Sequence, residues 1–120
     1  MSSPARPNRL SSGARIAELF ERGMRVGDRS IVVIGLPNDQ ALTRLAVAVG
    51  RRGTRTAVAR NRLKRLCREA FRRELPSLPS GLDLIILPKA GQIHTVDSLA
   101  RSLAPLADKL ARRLGGPGRD

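Results

Sequence analysis

The sequence predicts an α+β protein, a two-layer α-β sandwich built on a small central sheet, with elements in the order α-β-β-α-β-α. Two observations predict it. Short runs of β-branched or alternating apolar residues at 31–34, 45–50 and 82–87 read as strands. Around them, at 13–22, from Thr56 to about 74, and beyond Thr95, the apolar period lengthens to that of a helix. A third observation concerns partners. The 120 residues carry 23 Lys+Arg against 10 Asp+Glu, a formal charge of +13, which attracts polyanions. With 41% hydrophobic residues the chain has apolar material for one core. A single domain is therefore expected over 10–114, between a mobile basic tail at 1–9 and a Gly/Pro-rich tail at 115–120.

Each element has its own signals. Ser12 is an N-cap, and Ile16, Leu19 and Phe20 follow at the i, i+3, i+4 spacing of one helix face, with Gly23 as the C-cap. Ile31-Val32-Val33-Ile34 suits a strand buried on both faces, and a further short strand is possible near 25–28. Pro37-Asn38-Asp39 turns the chain. Leu45, Val47 and Val49 then alternate with Ala46, Ala48 and Gly50, which predicts an antiparallel partner with one bulky and one small face. A small face implies that something lies close to it. Thr56 caps a helix whose apolar stripe is Ala59, Leu63, Leu66 and Ala70, and Pro76 ends it. Gly81 and Pro88 bound the strand 82–87. Thr95 caps the last helix, with Leu99, Leu103, Leu106, Leu110 and Leu114 on one face; Pro105 predicts a kink or split near 101–104.

Composition excludes several functions. One cysteine, Cys67, and one histidine, His94, leave no internal disulfide and no Cys/His zinc site. No apolar stretch is long enough to span a bilayer, and no secretory signal pattern follows Met1, so no membrane is expected and the cytoplasm is the simplest compartment. Phe20 and Phe71 are the only aromatics, too few for modules that stack bases on a sheet. Asp28, Asp39 and Asp83 stand apart, so no catalytic carboxylate pair and no metal site is expected. His94 reads as a surface or capping residue and Cys67 as a small, semi-buried packer.

The chemistry concentrates in residues 51–73, which hold ten Arg/Lys and a single acid, Glu69. Arg60, Lys64, Arg68 and Arg72 form a helical ridge with Asn61 and Arg65 beside it. Stacked like charges repel by roughly 0.2–0.5 kcal/mol per pair, and phosphates are the natural counter-charge. Glu69 is an ion-pair partner for Arg65, Arg72 or Arg73. Ahead of the helix, Arg51, Arg52 and the loop Gly53-Thr54-Arg55 adjoin backbone N–H groups that also suit a phosphate. These features fit a purely structural RNA binder, such as a ribosomal protein or general RNA chaperone, as well as a processing factor. A DNA-binding regulator fits less well, for want of a helix-turn-helix pattern.

The run Arg60-Asn61-Arg62-Leu63-Lys64-Arg65-Leu66-Cys67-Arg68-Glu69 resembles the arginine-rich helix of the bacterial ribonuclease P protein subunit. Supporting pieces occur in the family's order: the first helix with Phe20 and Gly23, Arg51-Arg52 after a strand, and Ala57-Val58 before Arg60. The resemblance implies a left-handed β-α-β crossover around the basic helix, against the usual preference. It implies a protein that binds a catalytic RNA and the 5′ leader of precursor tRNA, and that assists removal of the leader. Chemistry then belongs to the RNA subunit and its Mg²⁺ ions; the protein has no cofactor of its own and needs no protein partner. By match to the motif, Arg60, Asn61, Arg62, Lys64, Arg65 and Arg68 face the RNA subunit, with Arg51 and Arg52 adding phosphate contacts. A leader cleft between the first helix, the sheet and the basic helix is implied at Ile16, Phe20, Val32, Ile34 and Ala48. The family usually offers aromatics at the positions of Ile16 and Ile34. Its loop before the helix is one residue shorter than Gly53-Thr54-Arg55-Thr56 and ends in asparagine.

Overall fold

The computed structural model describes residues 7–115. Of the tails expected at 1–9 and 115–120, residues 1–6 and 116–120 lie outside the described residues. Three helices and four strands follow in order: α1 (Gly13–Arg22), β1 (Met24–Gly27), β2 (Ile31–Pro37), β3 (Arg44–Val47), α2 (Ala57–Glu74), β4 (Leu82–Pro88) and α3 (Val96–Arg113). The short strand expected near 25–28 is β1.

The predicted caps hold each helix start. Ser12 accepts from the Arg15 N–H, Thr56 from Ala59, and Thr95 from Ser98, whose hydroxyl returns the bond to Thr95. Gly23 closes α1 without entering the left-handed region (φ −67°). It is needed for space, since a Cβ there would lie 2.4 Å from Ile34 Cγ2 and 2.5 Å from the Leu19 carbonyl oxygen. Pro76 ends α2 through a one-turn 3-10 helix, Leu75–Ser77. Pro105 does not split α3 as expected. It sits on the exposed side of the helix.

The sheet order is β1-β2-β4-β3. β2 pairs with β1 and β4 antiparallel, while β3 pairs with β4 parallel. The expected antiparallel pairing of 45–50 with 31–34 is thus corrected: β4 intervenes. Leu82 through Ile86 are all buried, so β4 takes the centre, and β3, with Arg44 and its alanines, takes an edge. α2 is the crossover joining the parallel neighbours β3 and β4. Regular pairing also stops sooner than expected, at Val47, with one more bond from the Ala48 N–H to the Ile86 carbonyl.

α2 and α3 pack on one sheet face over Val26, Ile31, Val33, Leu45, Leu84 and Ile86. Cys67 and Phe71 belong to this core, and the exposed Ala59 does not, so the buried stripe of α2 lies further along than its sequence pattern predicts. α1 covers part of the opposite face with Leu19, over Ile34, Ala46 and Ile85. Beside β3, the Asn8 carbonyl accepts from the Leu45 N–H at 2.8 Å and the Leu10 N–H donates back to the Leu45 carbonyl at 2.9 Å. Asn8 and Arg9, assigned by the sequence to a mobile tail, are therefore bound to the sheet.

Candidate nucleic-acid interface

Two surfaces flank the edge formed by β3. The first is the outer wall of α2. A groove of about 440 Å³ is lined by Asn61, Lys64, Arg65, Arg68, Glu69 and Arg72, with Arg9 as its far wall. The ridge expected from the sequence is there in part. Its acid, Glu69, pairs with Arg72. Burial, and then the nearby charge of Arg9, pull the Arg68 guanidinium below its ordinary pKa. Among the described residues no carboxylate pairs with Arg65, Arg68 or Lys64.

The remaining predicted cations lie elsewhere. Arg60 turns away from the ridge and donates to the Thr54 and Arg55 carbonyls at 3.1 and 2.8 Å. It braces the loop before α2. Arg62 is exposed outside the groove. Arg51 and Arg52 are exposed in a turn closed by the Thr54 N–H on the Arg51 carbonyl. Gly53 has φ +80°, and a Cβ on it would stand 2.8 Å from Ala90 Cβ, so this loop lies against the one that follows β4.

The second surface is the sheet face that α1 only partly covers. Cross-strand register arranges it in rows. Ile85 lies between Ile34 on β2 and Ala46 on β3, all three buried under α1. In the next row Val32 pairs with Leu87, and Ala48 flanks it through its bond to Ile86. Val32, Leu87 and Ala48 are half-buried, as is Ile16, which packs against the same cluster. Phe20 stands 39% exposed on α1. Of the five cleft residues predicted, four thus keep accessible surface. Ile34, at 0%, is corrected to core: it lies against Gly23 and supports the face without reaching a ligand. Leu87 was not singled out from the sequence, although its alternation with Ile85 was the available signal.

An ion cluster anchors α1 at the other end of this face. Asp83, fully buried on β4, accepts from Arg15 Nε at 2.8 Å, from Arg44 at 2.8 and 2.7 Å, and from Asn38 Nδ2 at 2.9 Å. Sequence reading left Asp83 isolated, because its partners are 39 to 68 residues away. Burial pushes the carboxyl up, but the bonds from Arg44, Asn38 and Arg15 outweigh it and hold it below the ordinary aspartate range. Cys67 shows the contrary case, since burial pushes its thiol up to about 12 and makes it inert. His94 is half-buried, and its Nε2 donates to the Lys89 carbonyl at 2.9 Å, a contact within the loop after β4.

Comparison with known proteins adds a family to these surfaces. The family model described as Ribonuclease P matches residues 5–111. A ribonuclease P protein component from Vibrio vulnificus is 35% identical over 111 residues, spanning 92% of this chain and 91% of that protein. One from Pasteurella multocida is 35% identical over 109 residues, spanning 91% and 88%. Among solved structures, the RNase P protein from Thermotoga maritima aligns with a TM-score of 0.74 at 26% identity, covering 84% of this chain and 96% of that one. A Staphylococcus aureus RNase P protein aligns at 0.70 and 25% identity, covering 85% and 94%.

Proposed function

The chain belongs to the ribonuclease P protein family, the protein subunits of an RNA-based endoribonuclease in tRNA 5′ processing, and from that premise we propose a division of labour between its two surfaces. The basic groove of α2, with Asn61, Lys64, Arg65 and Arg68, binds the catalytic RNA subunit. Arg51, Arg52 and Arg62 add exposed cations, and Arg60 keeps the loop in shape. The open row Val32–Leu87–Ala48, with Ile16 and Phe20 beside it, receives the single-stranded 5′ leader of precursor tRNA. The observation that carries this reading is an unneutralised cationic groove beside an apolar floor on one edge of one sheet. Arginine forks phosphate oxygens, and a half-buried apolar floor accepts base faces without reading their edges.

Bond cleavage and its Mg²⁺ belong on this reading to the RNA subunit. Among the described residues no three His, Cys, Asp or Glu side chains come together as a metal site. No described helix is long and apolar enough to cross a membrane, and we assign the complex to the cytoplasm with its tRNA substrate. A ribosomal protein or general RNA chaperone needs no leader floor, and the family match does not favour that alternative.

The test is cleavage of precursor tRNA by bacterial ribonuclease P RNA at low magnesium, with and without this protein. Strong stimulation is expected. No stimulation, with the protein folded and in excess, overturns the reading.

A further inference from the structure

We propose that Arg9 is a further RNA-contacting residue, closing the far side of the α2 groove around the phosphodiester backbone of the RNA subunit. This deepens the reading of the basic surface given above and rests on it. It adds a residue that lies well before the arginine-rich helix in sequence, ahead of α1 and the whole sheet.

The backbone dictates where Arg9 sits. Residues 8–10 run along the β3 edge, held by an isolated parallel bridge between Arg9 and Leu45. Asn8 Nδ2 fastens the segment further by donating to the Thr43 carbonyl at 3.0 Å. In an extended chain successive side chains alternate between faces. Leu10 is 3% exposed and packs in the α1-side cluster, so Arg9 projects to the opposite side, where α2 runs. There it lines the groove with Lys64, Arg65, Arg68 and Arg72.

Charge supplies the occupant. The groove has five cations against one carboxylate, Glu69, and that carboxylate is already engaged with Arg72. Arg9 and Arg68 repel across the gap, a cost that only an anion between them removes. A run of evenly spaced phosphates fits a groove walled by guanidinium forks on both sides. The same geometry has a mechanical consequence. RNA held by Arg9 also holds Leu10, Ser12 and the start of α1, so docking of the RNA subunit fixes the helix that borders the leader floor.

The experiment uses the full chain and ribonuclease P RNA, with binding measured across a salt series and the Tm of each variant recorded. Arg9→Gln keeps the side-chain stem and removes the charge. It should weaken binding roughly tenfold. The magnitude of the log K against log[salt] slope should fall by about 0.9, one phosphate's worth. Its Tm should equal or exceed that of the natural chain, because the repulsion from Arg68 is gone. Arg9→Lys should restore the salt slope and part of the affinity, as a point charge in place of a fork. Unchanged affinity and slope for Arg9→Gln, while Arg65→Ala binds weakly, overturns the proposal and leaves RNA binding to α2. Weaker binding with a lowered Tm and an unchanged slope overturns it too, as packing. If Arg65→Ala also binds normally, the reading of the basic surface has failed, and Arg9 with it.

Discussion

Replacing Asp83 with alanine tests how the cleft is built. The carboxylate is fully buried and accepts four hydrogen bonds from three side chains, which come from α1, the turn after β2, and β3. Truncation leaves Arg15 and Arg44 without their central anion. Breaking one partner of a buried pair costs roughly 3–5 kcal/mol. Arg15 and Arg44 keep 21% and 25% of their side-chain surface in water, so the lower end applies, about 3 kcal/mol. At about 4 °C per kcal/mol for a chain of this length, the Tm should fall by about 12 °C. Urea denaturation followed by circular dichroism measures the change, with an unaltered m-value showing that the same structure unfolds. The double change Asp83→Ala with Arg44→Met should cost at least about 1 kcal/mol less than the sum of the single changes. A loss below about 1 kcal/mol, or strict additivity with Arg44→Met, refutes the account of this cluster.

The same carboxyl sets a pH dependence. Its pKa is held down in the folded chain, so its contribution is complete above the unfolded value of about 3.9 and disappears as pH falls through the folded value. The natural protein should lose stability below about pH 4. Asp83→Asn, which cannot titrate, should lose less over that window, although Glu18 and Asp97, also held down by arginines, continue to contribute. Identical pH profiles for the two proteins would remove Asp83 as the titrating group.

Phe20→Ala should leave the Tm nearly unchanged, since the ring is 39% exposed and lies outside both core clusters. It should still reduce the preference for precursor over mature tRNA by the worth of one stacked base, roughly 1–3 kcal/mol; equal losses for both substrates would refute leader contact. Gly23→Ala places a methyl 2.4 Å from Ile34 Cγ2 and should cost about 1–3 kcal/mol in urea denaturation, with a neutral result contradicting the close approach. Sulfate should raise the Tm above that in chloride at matched ionic strength, because an anion bound in the groove stabilises the folded chain; no difference counts against phosphate sites.

What could be read from the sequence divides along the range of the interaction. Ser12, Thr56 and Thr95 each satisfy a backbone N–H three residues on, so the helix starts were legible in a few letters. Strand pairing was not. Leu45, Val47 and their alanines alternate equally well beside β2 or beside β4, and only the burial of β4 on both faces decides which neighbour wins. Residues 8–10 and the Asp83 cluster depend on partners some 35 to 68 residues away, which leave no local period.

The functional surface was legible as chemistry and illegible as shape. Ten cations against one acid in 51–73 announce a polyanion partner at any geometry. The wheel of an isolated helix, however, puts Arg60 on the ridge, and the fold turns it back onto the Thr54 and Arg55 carbonyls because the preceding loop presents them within reach. Arg9 fills the other wall in its place. The cleft follows the same logic. Alternation alone makes Val32 and Ile34 equivalent, both on one face of β2. The length of α1 separates them: it covers the row of Ile34 and Ile85 and stops at Gly23, leaving the row of Val32 and Leu87 half-open. Gly23 therefore does two things with one missing Cβ. It lets the chain leave α1 in contact with Ile34, and by ending the helix there it leaves the apolar floor uncovered.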